Sequence, residues 1–256
     1  MKARRGSPNR GSIAVTGAAR GIGRAIAFKL ATDGWRVYCL NRKTPESYGS
    51  DLSRAARARI VPVTCDVTDS RSVNATFEAI RESTRTLHAL VNNAGMLLGG
   101  PAKTFPIPDF ERVMRTNATS VFLVSQAAYS LLAAARGATI INLGSFYDRL
   151  GVKNNAAYCA SKAAVGAITR CLAVEWAANQ IRVVNLAPGF VLTDINAAYL
   201  GRADIQRSMG TAMPLGRPGT TDEVAQFVAG LLAAPVPLLT GSTVYLDGAH
   251  GLVLAR

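Results

Sequence analysis

Histidine, cysteine and acidic residues are all scarce in this chain. It has two histidines (His88, His250) and four cysteines (Cys39, Cys65, Cys159, Cys171), with no C-x-x-C pair and no metal-ligand spacing. That argues against a zinc site and leaves reduced, mostly buried thiols as the expectation. No apolar run approaches the roughly 20 residues that span a bilayer, so no membrane partner is expected. The opening "MKARRGSPNRGS" is basic but lacks the hydrophobic stretch of a signal peptide, so a flexible tail over residues 1–11 and a cytoplasmic location are expected. Asp and Glu number 16 against 29 Lys and Arg, a net charge of +13. A surplus of that sign suits nucleic acid, or it steers a polyanionic cofactor or an acidic acyl carrier. No helix-turn-helix or zinc-finger pattern accompanies it, so no nucleic-acid partner is expected.

What is present reads as globular: 49% of the 256 residues are apolar and 18% charged. Short β-branched runs ("SIAVTG", "RVYCL", "RIVPVTC", "LHALVNNAG", "ATIINLGS", "IRVVNLAPG", "STVYLD") alternate with longer helical stretches. The main helices are read in "GIGRAIAFKLATDG", in "SRSVNATFEAIRES" after a Ser70 cap, and in "TNATSVFLVSQAAYSLLAAA". Two more are read in "AAYCASKAAVGAITRCLAVEWAA" and "TTDEVAQFVAGLLAA". Pro62 puts its strand at a sheet edge. The alternation predicts an α/β fold: a doubly wound, Rossmann-type sheet of about seven parallel strands with helices on both faces, in one domain over 12–256.

"TGAARGIG" follows the first strand and opens the first helix, with Gly17, Gly21, Ile22 and Gly23 at its turn. Glycines there permit a tight turn, and a helix N-terminus offers N–H groups to a pyrophosphate. At the end of the second strand, where NAD usually meets an acid, stand Asn41 and Arg42. Arg42 and Lys43 could simply solvate a loop. With no carboxylate to oppose a phosphate, and Arg20 within reach of the same place, NADP (NADPH) is the expected cofactor.

The segment "GSFYDRLGVKNNAAYCASKAAV" carries Tyr158 four residues before Lys162, with Ser145 thirteen residues upstream of the tyrosine. Positions i and i+4 share a helix face. Ser145 falls at the end of the fifth strand, on the same rim as the glycine turn. Tyr147, the rival tyrosine, has Gly151 four residues on and no cation. Reducing a ketone puts negative charge on its oxygen, which needs a proton donor and hydrogen bonds. A phenol with a pKa near 10 is a sluggish donor. The adjacent lysine and the oxidised nicotinamide are expected to lower it, and the lysine also to hydrogen-bond the nicotinamide ribose, while Ser145 holds the substrate oxygen.

On these residues the chain resembles the short-chain dehydrogenase/reductase family from Ser12 to about Gly251. "TGAARGIG", "CDVTD", "NNAG", "TN" at 116–117, Ser145, "YCASK" and "APGFVLT" occur in the family's order. The resemblance implies that Asp66 and Val67 meet the adenine and that Asn93, Ala94 and Gly95 support cofactor binding. It implies that Pro188, Gly189, Val191 and Thr193 border the nicotinamide, and that Asn117 joins the catalytic group by holding a water that links Lys162 to solvent. Gly144 stands where many relatives carry a second serine. Phe146, Tyr147 and Asp148 are bulkier than is usual there, and either shape the substrate side or pack a loop. The resemblance is strongest to 3-oxoacyl-acyl-carrier-protein reductases, which implies a small-molecule or carrier-bound carbonyl substrate, a substrate lid around 193–219, and a homotetramer or dimer.

Overall fold

The computed structural model describes residues 10–43, 48–193, 213–234 and 236–252. The expected N-terminal tail and most of the expected lid lie outside them. The chain runs β1 (Ser12–Thr16), α1 (Gly21–Thr32), β2 (Arg36–Asn41), a short α2 (Arg54–Arg57), β3 (Ile60–Thr64), α3 (Ser70–Ser83) and β4 (Ala89–Asn92). It continues through α4 (Ile107–Met114), α5 (Ser120–Ala134), β5 (Thr139–Leu143), α6 (Ala156–Glu175) and β6 (Arg182–Pro188). A two-residue pair, β7 (Val191–Leu192) and β8 (Gly219–Thr220), precedes α7 (Thr221–Ala233) and β9 (Thr243–Leu246).

Seven strands form one parallel sheet in the order β3-β2-β1-β4-β5-β6-β9. Strand alternation sorts the core into two layers. Ile13 and Val15 pack with Ile26, Leu30 and Val228 from α1 and α7. Ala14 between them packs on the other face with Val124, Leu131 and Leu172 from α5 and α6. The inner strands β1, β4, β5 and β6 are therefore buried along their whole length, which is why their sequences are mainly apolar, while the edge strands β3 and β9 are partly open. β3 pairs only with β2 and carries Pro62 at the sheet edge.

Three local expectations are corrected. The α3 cap is Asp69, whose carboxylate accepts from the Arg71 N–H; Ser70 is already helical. The helix read from residue 116 continues from α4 through a π-helical turn at Arg115–Thr119. Pro106 caps α4 and Pro108 lies in its first turn, where proline is favoured because no amide partner is lost. The thiols are also less buried than expected: Cys39 and Cys65 are buried, Cys159 is partly so and Cys171 is exposed.

Candidate active site

β1 turns outward toward β2 and β4 turns the other way toward β5, so the loops after β1 and β4 part at the carboxyl ends of the sheet and leave a crevice. Its floor is tied by side chains. The Thr16 hydroxyl accepts from the Asn93 and Ala94 N–H groups at 3.0 Å each. The Asn93 amide donates to the Thr16 and Gly17 carbonyls at 3.0 and 3.1 Å. A Cβ on Gly23 would lie 2.3 Å from that amide, and one on Gly17 2.9 Å from the Ala94 backbone. These two glycines are required by protein packing against the β4 loop. Gly21 differs: at φ +54 its bare side faces only the Thr193 side chain, at 3.7 Å. It brings the glycine turn opposite the segment after β6, where Val191 is buried and Gly189 abuts Asp247. Pro188 ends β6 on the same side.

The α1 N-terminus has Arg20 at its cap, exposed, and no acid in its first turn. Asn41 is buried at the end of β2; its Nδ2 donates to the Cys39 carbonyl at 3.3 Å and its Oδ1 is buried without a partner. Arg42 beside it is exposed. Asp66 accepts from the Thr68 hydroxyl and N–H at 2.7 and 2.9 Å, which hold its carboxyl below the usual range, with Arg42 and Arg115 adding to the effect. Val67 next to it is buried. A phosphate at the α1 N-terminus and an adenosine phosphate near Arg20 and Arg42 fit this donor set, since among the described residues no carboxylate stands at the end of β2.

Ser145 stands just past the end of β5, after Gly144, and caps a 3₁₀ turn, Phe146–Arg149, its hydroxyl accepting from the Tyr147 N–H at 3.3 Å. Tyr158, in the first turn of α6, stands beside the Ser145 side chain, which pulls its phenol downward. Lys162 lies one turn further on the same face. Its Nζ is 5.6 Å from the Tyr158 ring centre and donates to the Leu143 carbonyl at 2.7 Å. The three residues expected to act together are thus brought together. One expectation reverses. Burial raises the Tyr158 phenol to about 12, against the pull of Ser145, and lowers the Lys162 ammonium to about 8. In both groups desolvation is the largest cause of the shift.

Asn117 sits in the π-helical turn. Its Oδ1 accepts from Met96 N–H at 2.8 Å; its Nδ2 donates to the Met96 carbonyl at 2.8 Å and to the Ser161 hydroxyl at 3.0 Å. Its side chain therefore welds the β4 loop to α6, and a Cβ on Gly95 would come within 3.3 Å of it.

Phe146 and Tyr147 were expected either to shape the substrate side or to pack a loop, while their other neighbours carried no expectation. Tyr147, set aside for want of a cation, places its ring 5.9 Å from Tyr158, edge-on. Phe190 and His250 join Phe146 beside it. Asn142, Asn185 and Thr243 lie in register across β5, β6 and β9, beneath the rim. A polar residue at the same level of three adjacent strands was the available signal.

Residues 17–250 match the family described as enoyl-(acyl carrier protein) reductase. The chain belongs to the short-chain dehydrogenase/reductase family. It is accordingly an oxidoreductase acting on CH–OH groups. It is 34% identical over 247 residues to a chloroplastic tropinone reductase homolog of Arabidopsis thaliana, covering 95% of this chain and 76% of the relative. It is 34% identical to the 3-oxoacyl-[acyl-carrier-protein] reductase MabA of Mycobacterium tuberculosis, covering 94% of this chain and 93% of MabA. Among solved structures, a gluconate 5-dehydrogenase from Burkholderia cenocepacia in complex with NADP and tartrate superposes with a TM-score of 0.86 at 30% identity, covering 96% of each chain. Among the described residues, no helix is long and apolar enough to cross a membrane.

Proposed function

We propose that the chain is an NADP(H)-dependent oxidoreductase that interconverts a ketone and a secondary alcohol, with 3-oxoacyl thioesters of the acyl-carrier-protein type as its substrates. The observation that carries this reading is the convergence of Ser145, Tyr158 and Lys162 on the rim of the crevice, with the Lys162 Nζ 5.6 Å from the Tyr158 ring centre.

The cofactor would be held by Gly17, Arg20, Gly21, Ile22 and Gly23 at its phosphates, by Asn41 and Arg42 at the adenosine ribose, by Asp66 and Val67 at the adenine, and by Asn93, Ala94 and Gly95 along the crevice floor. Pro188, Gly189, Val191 and Thr193 would border the nicotinamide, and Tyr158 and Lys162 its ribose. When bound, it supplies the hydride that reaches the carbonyl carbon. Ser145 donates a hydrogen bond to the substrate oxygen, and Tyr158 gives that oxygen its phenolic proton as charge develops. A phenol raised toward 12 is neutral over the physiological range and holds the proton that reduction needs. Lys162, as a cation, then stabilises the phenolate and reprotonates it. Because the Asn117 side chain is already occupied, a water relay at that residue would use its main-chain carbonyl.

The acyl-thioester reading is supported by the likeness to MabA and by the basic balance, which suits an acidic carrier. A second reading, a polyol or sugar-acid dehydrogenase on the same site, is favoured by the fit to the gluconate dehydrogenase. Exposed Phe122 on α5 and Val174 on α6 support a homo-oligomer built on those helices, and the composition supports a cytoplasmic location. The test is kcat/KM for acetoacetyl thioester, cyclic ketones and sugars with NADPH and with NADH. Reduction of the thioester with NADPH at least tenfold preferred supports the reading; an NADH preference or a sugar-only activity overturns it.

A further inference from the structure

Beside Tyr158 the rings of four residues pack into one array. Phe146 lies 4.8 Å from Tyr147, 5.4 Å from Phe190 and 5.1 Å from His250, between ring centres. Phe190 is 5.3 Å from His250 and 6.2 Å from Tyr147, and Tyr147 meets Tyr158 at 5.9 Å with the planes at 84°. Elsewhere among the described residues rings meet only in pairs. Phe146 is 3% exposed and backs the array; Tyr147, Phe190 and His250 are partly exposed and form its face. Three chain segments converge to build it, His250 coming from the turn after β9. Phe146 and Tyr147 follow Ser145, which holds the substrate oxygen in the reading above, and Phe190 follows the bend that would border the nicotinamide. The reacting carbon must lie between those two segments, so its substituent meets this wall.

The charged groups of the same turn are engaged elsewhere. Asp148 accepts from the Tyr245 hydroxyl at 3.0 Å. The Arg149 guanidinium stacks over the Tyr245 ring at 3.8 Å and meets Asp247 at 3.4 Å. The turn is thus pinned to β9 through its polar residues, and its rings remain on the side of Tyr158. A polyol substituent would leave hydroxyls unpaired against the Phe190 ring, a desolvation loss. A linear acyl chain would gain area burial alone. A flat ring gains edge-to-face contacts as well, each favouring it over a chain of equal size by roughly two- to tenfold.

We propose that the substituent on the reacting carbonyl is a flat apolar ring, received by Tyr147, Phe190 and His250 over Phe146. This rests on the carbonyl-reductase reading given above. The test compares two N-acetylcysteamine thioesters of equal carbon number, 3-oxo-4-phenylbutanoyl and 3-oxodecanoyl, with wild-type enzyme and NADPH. The expected result is a kcat/KM ratio of about ten or more in favour of the phenyl substrate, falling toward one in Phe190→Leu and in Tyr147→Leu. Equal or better reduction of the linear thioester by the wild type overturns the inference and leaves the reductase reading standing, as does a ratio that neither substitution moves. NADPH oxidation with neither thioester, nor with any ketone of the wider panel, overturns the reductase reading and this inference together.

Discussion

A single methyl group added at Gly144 should disturb both stability and turnover. Its carbon would sit 2.4 Å from Asn185 Oδ1 and 2.9 Å from Nδ2, well inside van der Waals contact. Asn185 has little room to retreat. It is wholly buried, its Nδ2 donates to the Thr243 hydroxyl at 3.1 Å, and Gly166 of α6 stands under the same amide. Nor is the backbone free to shift, because Gly144 N–H donates to the Leu186 carbonyl at 2.7 Å. Overpacking of this kind costs about 1–3 kcal/mol, or a drop of roughly 2–12 °C in Tm for a chain of this size. The strain falls between Leu143, whose carbonyl holds Lys162, and Ser145, so turnover should fall with stability. Asn185→Ala removes the obstruction. Its Oδ1 has no partner to lose, while Thr243 loses one donor, at about 1 kcal/mol. The double variant Gly144→Ala/Asn185→Ala should therefore exceed the sum of the single effects by about 1–2 kcal/mol in stability and recover part of kcat. The assay is urea unfolding followed by circular dichroism, paired with ketone reduction on all four proteins. A Gly144→Ala protein within about 0.5 kcal/mol of wild type, or strict additivity in the cycle, would refute the reasoning. The same contact gives a physical reason for glycine at this position: a serine would meet the Asn185 amide.

Other outcomes follow from the same geometry. Burial holds the Lys162 ammonium at about 8 against an ordinary 10.5, so above pH 8 the unfolded chain binds more protons than the folded one and stability gains from this group as pH rises toward 10.5. The difference in unfolding free energy between wild type and Lys162→Met should therefore grow in favour of wild type from pH 8 to 10, before the unfolded tyrosine titrates; a pH-independent difference contradicts the assignment. Thr220→Ala removes one arm of a capping box, in which the Thr220 hydroxyl accepts from the Glu223 N–H at 3.2 Å and Glu223 accepts from the Thr220 N–H at 2.8 Å. It should cost about 1 kcal/mol in chemical denaturation. Arg42→Ala should lower kcat/KM for NADPH by roughly tenfold or more while sparing NADH, as loss of a charge-assisted phosphate contact requires; equal losses for both would remove Arg42 from the phosphate site.

The sequence disclosed the architecture because strands buried on both faces cannot hide their pattern. "ATIINL" and "IRVVNLAP" read as strands, and Pro62 marked an edge, since a missing amide is tolerated only there. Ser145, Tyr158 and Lys162 were legible because one strand end and one helical turn fix their mutual positions. Less visible was anything set by contact between distant segments. Tyr147 was dismissed on i,i+4 logic within its own segment, yet it reaches Tyr158 through the 3₁₀ turn. Phe190 and His250 lie far apart in sequence and meet only because β6 and β9 are paired. The raised Tyr158 phenol was hidden for a related reason: spacing revealed the lysine but not the burial that pushes the phenol up. Gly144 carried no visible signal, because the amide that excludes a side chain there comes from the neighbouring strand.

The central claim is that the Tyr158 phenol delivers the proton while the rest of the crevice holds the cofactor. The direct measurement is Tyr158→Phe, assayed for ketone reduction and for NADPH affinity by cofactor fluorescence. The account predicts turnover reduced by about 10²–10⁴-fold, with the NADPH Kd within a few-fold of wild type. A variant that keeps most of its turnover, or one that loses NADPH binding in parallel with activity, would contradict it.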